Sequence, residues 1–185
     1  MPKIAEIEPT PNPNARKFVL RDPLTYGVSR SYDNAAAAES DALAKALFAI
    51  PHVSNVYYMD RYLTVTQDGG ADWNDLLREV AVPIRAAEPA KAPETPQTAQ
   101  DISQLATNPE DAARLLKINE ILDKQIRPAL LMDGGGLEIL GLEGSELRIH
   151  YHGACGTCPS ATFGTLAAIE SLVRSVDPEL VVVSL

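Results

Sequence analysis

Between Ala86 and Thr107 the chain changes character, and that break limits what the rest can build. The segment AAEPAKAPETPQTAQDISQLAT holds three prolines among Ala, Thr and Gln, with few large apolar groups. Such a stretch cannot bury enough surface to offset its own ordering entropy, so it reads as a flexible to semi-rigid tether. The flanks are left to fold separately, residues 1–85 on one side and 108–185 on the other, with 86–107 between them. Each is large enough for one modest core.

The N-terminal flank mixes strand and helix signals. Pro9-Thr10-Pro11-Asn12-Pro13-Asn14 is a turn-forming run, and Lys17 to Arg21 (KFVLR) behind it is strand-like. Spacing predicts a helix over 35–50, with Leu43, Leu47 and Ile50 on one face and Pro51 ending it. Val53 to Met59 and Tyr62 to Thr66 are two strands meeting at a tight Asp60-Arg61 turn. Asp72 caps a second helix reaching to about Ile84, with Trp73, Leu76, Leu77 and Val80 inward. Trp73 and the Tyr57, Tyr58 and Tyr62 group read as core and cross-strand packing.

The C-terminal flank opens on Asn108-Pro109-Glu110-Asp111, which combines an N-cap, a first-turn proline and two acids at the positive dipole end. Its buried stripe is expected at Ala112, Leu115, Leu116, Asn119, Ile121 or Leu122, and Ile126, with Pro128 and Gly134-Gly135-Gly136 marking the exit. Leu137 to Leu142 and Glu146 to His152 form a hairpin about Gly144-Ser145. In its second strand Leu147, Ile149 and Tyr151 alternate with Arg148, His150 and His152, giving one buried and one wet face. A helix from Ser160 to about Ser175 and a last apolar strand from Glu179 complete the order α-β-β-α-β. The class is therefore α+β: two small α/β domains joined by a linker.

A formal charge of −9 argues against nucleic acid or anionic membrane as partners. More than half of it, −5, falls on residues 107–185, a solvated acidic surface that is also able to dock basic partners. No apolar stretch approaches the roughly 20 residues that span a bilayer. The start MPKIAEIEPT lacks the pattern of a secretory leader. Together with two closely spaced cysteines, this predicts a reducing, cytoplasmic compartment.

Those cysteines, Cys155 and Cys158, lie in Gly153-Ala154-Cys155-Gly156-Thr157-Cys158-Pro159. Cys-x-x-Cys lets two thiolates converge on one soft metal centre, and the glycines let backbone approach the sulfurs. Pro159 suits the first position of the next helix, whose N-terminus favours the thiolate form. Zinc ribbons and iron–sulfur centres usually take four ligands, and this chain offers two cysteines. Two copies about a two-fold axis supply four. That count suits a cubane four-iron cluster bridging a homodimer, exposed enough to be handed on; four thiolates also hold a [2Fe–2S] centre. Zinc in a dimer, or zinc as an adventitious occupant, a thioredoxin-like redox pair and two inert buried thiols are the alternatives.

The segment RPALLMDGGGLEIL…GACGTCPSATFGTLAAIESLV closely resembles the C-terminal domain of the NifU-like (Nfu-type) iron–sulfur scaffold proteins. TPNPNARKFVL, ALFAIPHVSNVYYMDRYLTV and DWNDLL resemble the Nfu N-terminal domain that often precedes it. The resemblance spans nearly the whole chain outside the tether. It implies that Cys155 and Cys158 are the cluster and metal ligands, and that a [4Fe–4S] cluster binds between two copies. The implied role is a carrier, not an enzyme: it accepts a cluster from an upstream assembly scaffold and delivers it to apo iron–sulfur targets. The N-terminal domain is expected to serve partner contacts, so Thr10 to Asn14 take no catalytic role. The family commonly has an acidic residue and valine at Gly136 and Leu137, and serine at Ala161, which affects loop detail and not the ligands.

Other groups near the loop have plainer readings. His150 and His152 share the wet strand face and read as solvated, not ligating. Gly134-Gly135-Gly136 follows a helix and precedes a strand, the wrong order for a dinucleotide loop, so it reads as a turn. Asp133 is a turn or cap residue.

Overall fold

The computed structural model describes residues 2–91, 102–156 and 159–184, and for 159–163 only the backbone. The chain divides into two compact units, Met1–Gln97 and Thr98–Leu185. The fold is α+β.

In the first unit the strands are β1 (Ile4–Pro9), β2 (Ala15–Leu20), β3 (Ser29–Tyr32), β4 (Val53–Met59) and β5 (Tyr62–Gln67). They form one antiparallel sheet in the order β1-β2-β5-β4-β3. Helices α1 (Ala42–Phe48) and α2 (Trp73–Ala86) cover one face. Phe18, Val56, Leu63 and Val65 from the sheet meet Leu47, Leu76, Val80 and Ile84 from the helices there. The two edge strands escape the hydrophobic pattern because each pairs on one side only, β1 carrying Glu6 and Glu8 among mostly exposed residues and β3 being Ser-Arg-Ser-Tyr.

The helix expected over 35–50 is shorter. Asp41 takes an extended conformation and its carboxylate accepts the Ala44 N–H, which starts α1 at Ala42. The alanines before it form turns despite their helix propensity, because the tertiary bonds of Asp41 decide the start. Its carboxylate also accepts from the Tyr32 hydroxyl at 2.9 Å and from the Tyr58 hydroxyl. The TPNPN run is a folded turn: Asn12 Oδ1 accepts Asn14 N–H at 3.0 Å, and Trp73 Nε1 donates to Pro13 O at 3.1 Å.

The second unit contains α3 (Pro109–Gln125), α4 (Arg127–Met132), β6 (Gly135–Glu143), β7 (Glu146–Gly153), α5 (Pro159–Val176) and β8 (Val181–Ser184). The sheet order is β6-β7-β8, antiparallel then parallel. Part of the stretch read as tether belongs to this unit: Ile102–Leu105 is a 3-10 turn, and Ala106 bridges Leu142. Ile102 and Ala106 pack on the core.

Asn108 caps α3 as its sequence indicates. The buried stripe is rotated from the expected one: Asp111, Leu115, Ile118, Leu122 and Ile126 face inward, while Leu116 is 51% exposed. Asp111 sets that face. Its carboxylate accepts from Asn108 Nδ2 at 2.7 Å, Arg114 Nη1 at 2.9 Å and the Gly144 N–H at 3.3 Å. Arg114 also donates to Asp177. Burial alone would raise the Asp111 pKa, but the Gly144, Thr107, Arg114 and Asn108 hydrogen bonds outweigh it and hold the carboxyl below its usual range. Pro128 does not end the helical region; it lies in the first turn of α4. A bulge between Ile139 and Gly141 leaves Leu140 exposed and returns Leu142 to the core.

Candidate metal-binding loop

The loop is built where β7 meets the start of β6. The two strands pair to their ends, with Gly135 opposite Gly153. Gly153 has φ +65° and Gly134 φ +80°, which only glycine adopts without penalty. Ala154 N–H donates to Gly134 O at 3.1 Å and Gly156 N–H to Gly153 O at 3.2 Å, so the chain reverses tightly around Cys155.

Cys155 is 4% exposed and packs at the margin of the second core. Gly135 is its seat. A Cβ at Gly135 would stand 2.5 Å from Cys155 Sγ and 2.7 Å from His152 O. The sulfur thus rests on bare backbone, and any side chain at Gly135 would displace it. Gly156 is equally constrained, since a Cβ there would lie 2.9 Å from Tyr151 O. Gly134-Gly135-Gly136 is accordingly more than a turn. Gly134 makes the turn, while Gly135 gives up its side chain for the cysteine, a role signalled only by its register opposite Gly153.

Cys158 lies outside the described residues. The helix that follows it, α5, opens on Pro159 as the sequence predicts. A soft sulfur donor held against glycine backbone, with no carboxylate in its seat, is chemically suited to iron or zinc held through thiolates. Among the described residues, no three His, Cys, Asp or Glu side chains converge as a metal site.

The other polar groups have structural partners. His152 Nε2 lies 3.0 Å from Glu138 Oε2, and its ring meets that of His150 edge-on with centroids 4.7 Å apart. Asp133 is the C-cap of α4. Tyr57 and Tyr58 are buried, as packing residues should be. Tyr151, which the sequence suggests only as a core residue, lies beneath the loop. Burial, and secondarily the charge of Cys155, push its pKa up to about 12.

A small α+β domain presenting one cysteine of a Cys-x-x-Cys loop, preceded by a separate α+β domain, defines a thiolate-bearing protein of two modules. Comparison with known proteins assigns both. The family described as "Scaffold protein Nfu/NifU N terminal" matches residues 4–88, and the "NifU-like domain" matches residues 118–184. The human mitochondrial NFU1 iron–sulfur cluster scaffold homolog is 30% identical, over 95% of this chain and 68% of that protein. Its Drosophila erecta counterpart is 28% identical over 95% of this chain, which spans 62% of that relative's length. Protein SAV1430 from Staphylococcus aureus covers 44% of this chain and 98% of its own at 22% identity and a TM-score of 0.40, a likeness too slight to add to the assignment. The chain belongs to the Nfu/NifU family of scaffold proteins. No helix among the described residues is long and apolar enough to cross a membrane.

Proposed function

We propose that this chain carries an iron–sulfur cluster and passes it to apo-proteins. Cys155 and Cys158 of two copies form the four-thiolate site, and the cargo is a [4Fe–4S] cluster. The observation that carries this reading is the glycine seat. Gly135 and Gly156 hold no side chain where one would strike Cys155 Sγ or the backbone beneath it, so the fold keeps a place for this sulfur against bare backbone.

Transfer by ligand exchange needs no redox change. An acceptor thiolate forms a bond to iron as the bond to Cys155 breaks, and the released thiolate takes up a proton. The chain is thus a carrier and not a catalyst, working with a donor scaffold and acceptor apo-proteins in a reducing compartment. The N-terminal unit serves contacts with those partners.

Anaerobic reconstitution tests the reading. About two irons and two sulfides per chain are expected, lost on Cys155→Ser or Cys158→Ser. Failure to take up iron, with rapid turnover of a disulfide substrate, would replace the carrier by a thiol–disulfide oxidoreductase.

A further inference from the structure

Tyr151 sits on the inward side of β7, paired with Leu137 of β6, and is 6% exposed. Its hydroxyl oxygen is buried and has no hydrogen-bond partner among the described residues. Leaving such a group unsatisfied costs about 1–3 kcal/mol. Phenylalanine would fill the same space without that cost, so the oxygen calls for an explanation beyond packing.

Tyr151 packs against the cysteine loop. Tyr151 and Cys155 belong to one buried cluster, and the Tyr151 carbonyl forms the floor under Gly156. A tyrosine phenol is a neutral O–H donor at physiological pH. The acceptor it suits is electron-rich and carries no proton of its own. A metal-bound thiolate and an inorganic sulfide both meet that description, and hydrogen bonds to such sulfurs tune iron–sulfur centres.

We propose that Tyr151 is a positioning residue for the carried cluster: its hydroxyl donates a hydrogen bond to a cluster sulfur beside Cys155 and slows release of the cargo. The inference rests on the carrier reading of the loop. It adds a selective role for one residue that the cysteine motif does not contain. No bond to Tyr151 is made or broken.

The test compares full-length wild type with Tyr151→Phe, both loaded anaerobically. Resonance Raman spectra in H2O and D2O should show an iron–sulfur stretch that shifts with deuterium in wild type and not in the variant. Loading with 34S-sulfide distinguishes a bridging sulfide from a cysteine thiolate as the acceptor. Loss of cluster to a chelator should be about fivefold faster in the variant, the worth of one hydrogen bond. Without cluster, Tyr151→Phe should unfold at the same or a higher temperature. Identical deuterium shifts and release rates would overturn the inference, as would a clearly lower melting temperature of the cluster-free variant, which would mean that the hydroxyl already has a partner. Wild type that takes up no iron would instead overturn the carrier reading, and this inference with it.

Discussion

The two units bend their backbones for different ends. In the N-terminal unit two non-glycine residues, His52 (φ 72°) and Asp60 (φ 52°), occupy the left-handed region. The side chain of each is engaged nearby: His52 Nδ1 lies 3.1 Å from Asp68, and Asp60 Oδ1 accepts the Gly27 N–H at 2.6 Å. There the unusual backbone closes turns. In the C-terminal unit Gly134 and Gly153 turn the backbone on either side of the Cys155 seat, and the side chain missing at Gly135 makes room for the sulfur. The first unit's irregular positions maintain its fold, whereas the second unit's surround its chemistry.

Matched glycine substitutions can break that contrast. Gly135 and Gly70 look alike on paper, because an added Cβ would meet an atom at 2.5 Å in both. At Gly135 the obstacles are buried Cys155 Sγ and a backbone carbonyl; at Gly70 they are the ends of the exposed His52 and Asp68 side chains. Gly135→Ala should cost about 3 kcal/mol in denaturant unfolding of the C-terminal unit and abolish iron uptake. A Gly135→Ala variant that loads iron normally would remove the seat from the account. An intermediate effect is expected at Asp111. Its folded-state pKa is lowered, so the stability it contributes is present above the unfolded value near 4 and is lost as pH falls through the lower folded value. Asp111→Asn should make the C-terminal unit less stable at neutral pH and flatten its acid loss between about pH 5 and 3, measured by unfolding at several pH values. Gly70→Ala is the smallest change, within about 0.5 kcal/mol, with uptake unaffected.

Much of this was legible in the residues. The caps at Asp72 and Asn108 and both hairpins are local signals, and local signals survive tertiary context. The departures arise where tertiary contacts decide. Asp41 shortens α1 because Tyr32 and Tyr58 reach it from the sheet. Asp111 rotates α3 because Arg114 and Gly144 engage it. Edge strands β1 and β3 carry no strong apolar alternation. At the site, Cys155 declares itself by spacing, but Gly135 and Tyr151 acquire meaning only when β6 and β7 are in register.

The central claim is that Cys155 and Cys158 are half a site completed by a second copy. Native mass spectrometry of anaerobically loaded protein reads subunit number and cluster mass at once. A two-chain species carrying about four irons and four sulfides is expected, absent in Cys155→Ser. A single chain holding the whole cluster, or a two-chain species whose bound mass is zinc alone, would contradict it.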